Sequence, residues 1–274
     1  MSYNSGPKII TNGITMYLDA KLLNSSNYNT FWKDLTSTYT ITKLSPTSAS
    51  PRINYMDGTY GFFNNGGFST PFSWPNNFTV CMIIYPNTQA TSLARVISTG
   101  PSDNFEFALG SAGVGLSVPS FYPNGSSAWE TMGSGQYLTN GKFYHLTIVK
   151  SGSTFLFYIN GAYSYGSTTN ASAGSSLYYG TRYNSSEPSN TTISSFIVYN
   201  RALSAGEIVQ NYNSMIPRLT GQFVASGTVL YGLCNEVENC WITQMRTNGI
   251  GGVDDTFSYY GGTGCGGGCP PTPP

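Results

Sequence analysis

The chain has 274 residues, of which 39% are hydrophobic and only 9% are charged, with 12 Lys plus Arg balancing 12 Asp plus Glu. That length and apolar content suffice for one large domain with a packed core and a small appendage. A net charge of zero without a basic cluster argues against a nucleic-acid partner. No run of about 18 apolar residues occurs, so we expect no membrane-spanning helix and no membrane partner.

The polar side chains are neutral rather than charged, and the chain contains 21 Tyr and 32 Gly. Such a composition is typical of surfaces that bind through neutral hydrogen bonds and aromatic contacts, as in adhesive and assembly proteins. Residues 1–10 lack a charged start followed by an apolar stretch, so no secretory signal is expected there. The composition is typical of extracellular proteins, yet no such signal is seen. A virion protein would explain both, because virions assemble inside a cell and are then released, and a chain whose signal has been removed is the alternative.

Short apolar segments separated by turn signals predict about a dozen strands. The first are Ile14 to Leu18, Thr38 to Leu44 and Gly61 to Phe63. The most apolar segment, Phe78 to Tyr85, is expected to be a central strand that ends at Pro86. The remaining predicted strands are 95–98, 104–109, 114–118, 143–150, 154–159, 162–165, 177–179 and 192–199. Two hairpins are predicted among them, one around residues 151–153 and one at the tight turn Asn160-Gly161. This spacing predicts an all-β fold, a two-sheet antiparallel β-sandwich.

One helix is predicted near the end of this series. Ser204 and Glu207 have the spacing of a capping box, and Ile208 and Tyr212 lie four apart on one face. Pro217 is expected to close the helix. We therefore divide the chain into a sandwich, residues 1–217, and a Cys-, Gly- and Pro-rich segment, residues 218–274. Its tail, residues 261–274, has too few apolar groups to fold alone, so we expect the segment to anchor or oligomerise the protein.

Several short sequence motifs follow one another along the chain, namely Gly13-Ile-Thr-Met-Tyr-Leu-Asp-Ala20, Trp32-Lys-Asp-Leu35, Phe78-Thr-Val, His145-Leu-Thr-Ile-Val-Lys, Phe157-Tyr-Ile-Asn-Gly161 and Gly180-Thr-Arg. The most specific is the closing motif Ile193-Ser-Ser-Phe-Ile-Val-Tyr-Asn-Arg-Ala-Leu-Ser-Ala-Gly-Glu-Ile-Val-Gln-Asn-Tyr212. In this order, over roughly residues 8 to 216, the motifs resemble laminin G-like domains of the concanavalin A-like lectin/glucanase superfamily. The resemblance implies a concanavalin A-like jelly roll with one short C-terminal helix. The closing motif is common in laminin G-like domains of bacteriophages and other large viruses.

The family includes binding, structural and hydrolytic members, so the fold does not settle the function. Hydrolases of this superfamily use two carboxylates from a Glu-x-Asp-x-x-Glu motif, and this motif is absent here. Asp103 and Glu106 are three apart, on opposite faces of a strand, and Glu236 and Glu238 lie outside the sandwich. We therefore expect no enzymatic activity. The single histidine, His145, lies where the family often has one in a strand, and it is interpreted as a hydrogen-bonded structural residue.

The resemblance also implies a candidate calcium site at the sandwich rim, because laminin G-like rims often bind one calcium ion through Asp, Asn and backbone oxygens. Asp103 and Asn104 offer such oxygens in the loop 99–104. The alternative is a solvated turn that holds no metal.

Three aromatic residues in expected loops are candidates for stacking on a glycan or a protein partner, namely Trp74, Tyr122 and Trp129. The alternative is that they anchor their loops to the core. Trp32 matches a family core position and is expected to be buried.

The cysteines fall into two groups. Cys81 lies alone in the apolar strand and is expected to be an inert core thiol. Cys234, Cys240, Cys265 and Cys269 lie in the C-terminal segment, where they form disulfides, a four-thiolate zinc site or free thiols.

The hypothesis that follows is a non-enzymatic structural or adhesive protein of a virion surface, either a capsid decoration or a tail-fibre component. Its expected partners are other virion proteins or identical subunits in a homo-oligomer, together with cell-surface glycans. The alternative is a carbohydrate-binding lectin module for cell-surface glycans, and a glycan hydrolase is the third hypothesis.

Overall fold

The computed structural model describes residues 8–19, 26–27, 31–32, 34–44, 52–56, 59–64, 67–87, 94–100, 105–111, 115–123, 129–132, 137–168, 174–183, 187–219, 241–244 and 257–260. These residues form 20 strands and one helix. The strands up to the middle of the chain are β1 (Ile14–Asp19), β2 (Ser26–Asn27), β3 (Phe31–Trp32), β4 (Thr42–Lys43), β5 (Arg52–Met56), β6 (Thr59–Asn64), β7 (Phe68–Pro71), β8 (Phe78–Pro86), β9 (Ala94–Ser98), β10 (Phe105–Ser111) and β11 (Leu116–Pro123). The later elements are β12 (Glu130–Thr131), β13 (Leu138–Thr139), β14 (Tyr144–Ser151), β15 (Thr154–Ile159), β16 (Ala162–Thr168), β17 (Ser176–Tyr179), β18 (Thr191–Tyr199), α1 (Ala205–Leu219), β19 (Trp241–Gln244) and β20 (Phe257–Tyr260).

Two eight-stranded antiparallel sheets make a sandwich, as predicted. The first sheet has the order β16-β15-β14-β8-β18-β6-β5, with β1 also paired to β18. The second sheet has the order β12-β11-β10-β9-β17-β7-β4, with β13 also paired to β11. The pairs β19-β20 and β2-β3 form two further small sheets.

The predicted central strand and the two predicted hairpins are confirmed. β8 ends at Pro86 and lies between β14 and β18. It is central because an uninterrupted apolar run can be buried on both faces. β14 pairs with β15 and β15 with β16, across the turns at 151–153 and at Asn160-Gly161. Asn160 and Gly161 both have positive φ, as this turn requires.

Aromatic rings fill the space between the sheets. Phe78 and Phe155 project from the first sheet, and Phe105 and Phe121 from the second. The ring centroids of Phe121 and Phe155 are 4.8 Å apart, and those of Phe78 and Phe105 are 5.5 Å apart. These contacts join the two sheets through one continuous core.

Helix α1 covers part of the outer face of the first sheet. Its residues Ile208 and Met215 are buried against a second apolar cluster that includes Cys81, so the prediction of a core thiol is confirmed. The predicted capping box is also formed. The backbone N–H of Glu207 donates to Ser204 Oγ, and the backbone N–H of Ser204 donates to Glu207 Oε2. Hydrogen bonds from Arg201 and from Ser204 lower the pKa of Glu207 to about 2.

A group of five residues, called here the terminal clasp, ties the start of the described chain to α1. Ile10 N donates to Asn211 Oδ1 (2.8 Å), and Asn211 Nδ2 donates to the hydroxyl of Tyr199 (3.0 Å). That hydroxyl donates to the carbonyl of Ile10 (2.9 Å), and Gln210 Nε2 donates to the carbonyl of Lys8 (2.9 Å). The burial of Asn211 is compensated because its amide uses both its donor and its acceptor atoms.

The strand predicted over Thr38 to Leu44 is wrong for most of its length, since only Thr42–Lys43 is a strand. The reason is the buried carboxylate of Asp34, which accepts from the backbone N–H groups of Thr36, Thr38 and Tyr39. These bonds hold residues 34–39 in a turn, because one side chain satisfies backbone donors that a strand partner would otherwise take.

One strand and the helix also extend further along the chain than predicted, and each continues through a proline. β11 continues through Pro119 to Pro123, beyond the predicted end at residue 118. The strand lies near the sheet edge, next to the two-residue strands β12 and β13, and proline is tolerated at such positions. Pro217 does not close α1, which ends at Leu219. The division into 1–217 and 218–274 stays a prediction, because residues 220–240, 245–256 and 261–274 are not described.

Candidate functional site

The outer face of the second sheet carries a row of four side chains, called here the cross-strand row. In strand order they are Tyr178 (β17), Ser98 (β9), Glu106 (β10) and Tyr122 (β11), and each is the register partner of the next. Their sequence neighbours point into the core, so alternation along each strand sends these side chains to the opposite face. The row therefore crosses four neighbouring strands of a rigid sheet.

Beside the row, four charged side chains form an ion-pair cluster, defined as Arg95, Glu106, Arg182 and Glu187. Arg95 Nε lies 2.6 Å from Glu106 Oε2, and Arg95 Nη2 lies 3.1 Å from Glu187 Oε2. Arg182 Nε lies 3.4 Å from Glu106 Oε1, which also accepts from Ser98 Oγ at 3.1 Å. The two arginines and the two glutamates balance in charge, so the centre of this face is polar but has no net charge.

Burial divides the cluster into an inner and an outer pair. Arg95 and Glu106 have side-chain exposures of 4% and 1%, whereas Arg182 and Glu187 have 26% and 35%. A buried ion pair is stable only when its geometry and additional hydrogen bonds compensate for the lost hydration. Arg95 and Glu106 therefore form a fixed support, and the groups that a ligand can reach belong to Arg182 and Glu187.

The backbone around Glu187 is held in place by β9. Arg95 N donates to the carbonyl of Glu187 (3.0 Å), and Arg95 forms an isolated parallel bridge with Pro188. Glu187 has a φ of 52°, which is uncommon for a residue with a side chain. Such a conformation persists where surrounding contacts over-determine it, and Arg95 supplies both a backbone and a side-chain contact here.

Two partly exposed aromatic rings border the cluster and are called here the aromatic pair. The ring of Trp129 lies over the guanidinium of Arg95, with 4.4 Å between its centroid and Cζ. The ring centroids of Trp129 and Tyr122 are 5.2 Å apart. On the other side of the cluster, the guanidinium of Arg182 lies 5.4 Å from the ring of Tyr183. The Arg95 contact orients Trp129 without covering it, since the side chain keeps part of its surface in solvent.

Of the three predicted aromatic candidates, the structure brings Tyr122 and Trp129 together and separates Trp74 from them. Tyr122 lies in β11, not in a loop. Trp74 is only 9% exposed, and its Nε1 donates to the carbonyl of Ser176 (3.0 Å). Trp74 is therefore not available for stacking on a ligand, and the alternative holds for it, namely that it anchors its loop to the core, because its ring packs against Phe78 and Phe105.

The other predicted ligands lie outside the described residues. These are the calcium candidates Asp103 and Asn104, the cysteines Cys234, Cys240, Cys265 and Cys269, and the side chain of Trp32. Among the described residues, no three His, Cys, Asp or Glu side chains lie close enough together to hold a metal ion. Within the same ranges, no helix is long and apolar enough to cross a membrane.

His145 is interpreted from the sequence as a hydrogen-bonded structural residue, but among the described residues only its backbone forms hydrogen bonds. Its backbone N–H donates to Asn160 Oδ1 and its carbonyl accepts from Asn160 N, but neither ring nitrogen has a partner among the described residues. The ring is fully buried, with the ring of Tyr212 at 5.9 Å. Desolvation lowers the pKa of His145 to about 4, so the imidazole is neutral near pH 7.

Sequence reasoning missed Arg95, Arg182, Glu187 and Tyr178, and it considered Glu106 only as a partner of Asp103. A weak signal was available, because Glu106 alternates with Phe105 and Phe107 in a strand, and Arg95 occupies a strand of otherwise small or apolar residues. The pairing of these residues depends on the order of strands in the second sheet, which the sequence pattern does not specify.

The family comparison agrees with this architecture. The family described as the concanavalin A-like lectin/glucanases superfamily matches residues 57–209, which is more than half of the chain. The chain belongs to this superfamily. No curated protein matches the sequence.

Solved structures show the same concanavalin A-like fold. Domain 4 of AbnA, a GH43 extracellular arabinanase from Geobacillus stearothermophilus solved in complex with arabinotriose, matches with a TM-score of 0.53 and 19% identity, over 73% of this chain and 98% of that one. Trypanosoma rangeli sialidase, solved in complex with 2,3-difluorosialic acid as a covalent intermediate, matches with a TM-score of 0.54 and 18% identity, over 77% of this chain. The matched part is 34% of the sialidase chain, so this protein spans about a third of that length. At such identities the similarity shows the fold alone.

Proposed function

We propose that this protein binds carbohydrate on the outer face of its second sheet and does not cleave it. The observation that carries the proposal is the aromatic pair, Tyr122 and Trp129, held beside the partly exposed groups of Arg182 and Glu187. Binding sites for small ligands combine apolar and aromatic surface with a few fixed polar groups. This face has both, with Tyr122 on β11 and the other three side chains in segments that adjoin the strands.

The two kinds of group match the two kinds of surface on a sugar. The faces of a pyranose or furanose ring carry C–H groups, which pack on aromatic rings, and its edges carry hydroxyls. The guanidinium of Arg182 donates hydrogen bonds and the carboxylate of Glu187 accepts them, so together they can bind hydroxyls in either role. The buried pair Arg95–Glu106 keeps both outer groups in position before a ligand arrives, which reduces the entropy lost on binding.

Two comparisons support a carbohydrate ligand over a protein ligand. The arabinanase domain with this fold was solved with arabinotriose, and its whole chain is nearly covered by the match. The sialidase structure with this fold was solved with a sialic acid derivative. Neither ligand is assigned to this protein, but both make sugars the class to test first.

The same geometry supports binding without hydrolysis. A retaining or inverting glycosidase needs one carboxyl group as a proton donor and one as a nucleophile or base. Here Glu106 accepts from Arg95 and from Ser98, and Glu187 Oε2 forms an ion pair with Arg95 at 3.1 Å. Glu106 is buried, so Glu187 is the single carboxylate of the cluster that a ligand can reach, whereas the reaction needs two.

A glycan array tests the proposal. We expect the wild-type protein to bind a defined set of glycans, and Tyr122→Ala and Trp129→Ala to lose that binding by about tenfold or more. Tyr163→Ala is the matched control, because Tyr163 is 61% exposed and lies on β16 of the first sheet. Each variant is first checked by thermal unfolding. Binding that survives both aromatic substitutions, or no binding to any glycan, would disprove the assignment, and release of reducing ends would show hydrolysis.

A virion surface is our second proposal, for the setting in which this binding occurs. The virion setting is favoured by the composition, with 9% charged residues and 21 Tyr, and by the closing motif from Ile193 to Tyr212. We expect a homo-oligomer that depends on residues 218–274. Light scattering with and without reductant, on the full chain and on a chain ending at residue 219, measures this. A monomer under all conditions would contradict the assembly role and leave a lectin module.

A further inference from the structure

We infer that the ligand is an uncharged oligosaccharide that lies along the cross-strand row from Tyr178 to the aromatic pair, and this inference rests on the proposed function. It assigns a second aromatic contact, Tyr178, at the end of the face opposite Tyr122. It also assigns the chemical class and the minimum length of the glycan.

The length follows from the sheet. Tyr178 and Tyr122 are separated by three inter-strand intervals, namely β17 to β9, β9 to β10 and β10 to β11. Neighbouring strands lie about 4.8 Å apart, so the two positions are about 14 Å apart along the row. A monosaccharide is much shorter than this distance and can contact only one end. A chain of several sugar units, lying across the strands, can contact both.

The surface between the two ends is suited to such a chain. Ser98 and Glu106 are buried at the centre of the row, so the groups offered to a ligand there are the partly exposed Arg182, which lies next to Glu106, and Glu187. Tyr178 is partly exposed, and its neighbours Leu177 and Tyr179 are buried in the core, so its ring projects from the outer face. A bound chain therefore meets an aromatic ring, a polar centre and the aromatic pair in succession.

The charge class follows from the ion-pair cluster. Both exposed charged groups already have partners of opposite sign, because Arg182 lies near Glu106 and Glu187 (3.4 and 3.8 Å) and Glu187 lies 3.1 Å from Arg95. A carboxylate or sulfate on the ligand would have to displace a glutamate from Arg182, and it would be repelled by Glu187. Hydroxyl groups need no such exchange, so the face selects neutral sugars over acidic ones.

A titration series tests this inference. The probes are uncharged arabino-, xylo-, manno- and gluco-oligosaccharides of increasing length, and sialylated and uronic-acid-containing oligosaccharides. The proteins are the wild type, Trp129→Ala, Tyr178→Ala and the control Tyr163→Ala, each measured by calorimetry. For the preferred neutral series, we expect the affinity to rise by about tenfold or more between the monosaccharide and the trisaccharide. We expect Tyr178→Ala to remove this gain with length, Trp129→Ala to weaken binding at every length, and the control Tyr163→Ala to bind like the wild type.

The outcomes separate the inference from the proposed function. Binding that is lost in Trp129→Ala but does not depend on length or on Tyr178 would overturn the inference and leave the proposed function standing. A preference for the acidic probes with the same Trp129 dependence would do the same. No binding by the wild type to any probe would overturn both.

Discussion

Arg95 is the residue on which the outer face of the second sheet depends most. Its guanidinium contacts Glu106 and Glu187 and lies under Trp129, and its side chain is only 4% exposed. Removing one partner of a buried ion pair is strongly destabilising, because the other charge stays buried without compensation. We expect Arg95→Met to lower the free energy of unfolding by about 3–5 kcal/mol in urea titrations.

The control for Arg95 is Arg182→Met in the same cluster. Arg182 is 26% exposed, so we expect this variant to lose less than about 1 kcal/mol. Equal losses for the two variants would contradict the division into a buried support and an exposed contact pair.

His145 makes stability depend on pH. Its pKa is about 4 in the folded protein and near the ordinary value of 6.5 when unfolded, so the unfolded chain binds a proton first as the pH falls. Its effect on stability is absent above pH 6.5 and grows as the pH falls to 4. We expect the wild type to lose about 2 kcal/mol between pH 7 and pH 5 relative to His145→Phe, which keeps a ring and cannot titrate. Chemical unfolding at both pH values measures this, and parallel losses would contradict the assigned cause.

At the scale of the element, the capping box makes a separate contribution to α1. Ser204 Oγ accepts from the N–H of Glu207, and an alanine at this cap leaves that donor without its partner. We expect Ser204→Ala to lose about 1 kcal/mol of stability. Ser214→Ala is the control, because Ser214 Oγ donates to the carbonyl of Asn211 within the same helix, and we expect it to change stability by less than about 0.5 kcal/mol. The same loss for both serines in thermal unfolding would show that the cap itself is unimportant.

Elements were predictable where local chemistry decides them. The apolar run of β8 and the Asn160-Gly161 turn are such cases, as is the capping box at Ser204. The prediction failed where contacts that hydrophobic alternation does not reveal decide the structure. Asp34 binds backbone groups, such as the N–H of Thr38 four residues later, that the alternating pattern had assigned to a strand.

The candidate site was predictable to a smaller extent, for the same reason. Tyr122 and Trp129 were recognisable as aromatic residues in a polar context, but Trp74 has the same local appearance and lies in the core. Only the fold distinguishes them. The Arg95–Glu106 contact depends on the pairing of β9 with β10, and the contact of Arg95 with Glu187 joins residues far apart in sequence.

At the scale of the whole molecule, stability rests on the aromatic contacts between the sheets. The ring of Phe155 on the first sheet lies 4.8 Å from Phe121 and 5.8 Å from Phe105 on the second. We expect Phe155→Ala to lose about 3–5 kcal/mol, because the ring is fully buried and its removal leaves a cavity between the layers. Tyr163→Ala, on the exposed side of the same sheet, is expected to lose less than about 1 kcal/mol. Calorimetric unfolding measures both, and a small loss for Phe155→Ala would contradict a core shared by both sheets.

The terminal clasp determines how the sandwich responds to tension. The described chain enters at Lys8 and Ile10 and leaves through α1, and the clasp holds these two parts next to each other. β1 and β18 are antiparallel, with Ile14 opposite Tyr199, so a pull on the two ends would separate this pair one hydrogen bond at a time rather than all at once. The clasp bears that load before the strands do. As long as it holds, β1 and β18 stay paired, and the first sheet keeps this part of its order when residues 8–10 and α1 are pulled apart.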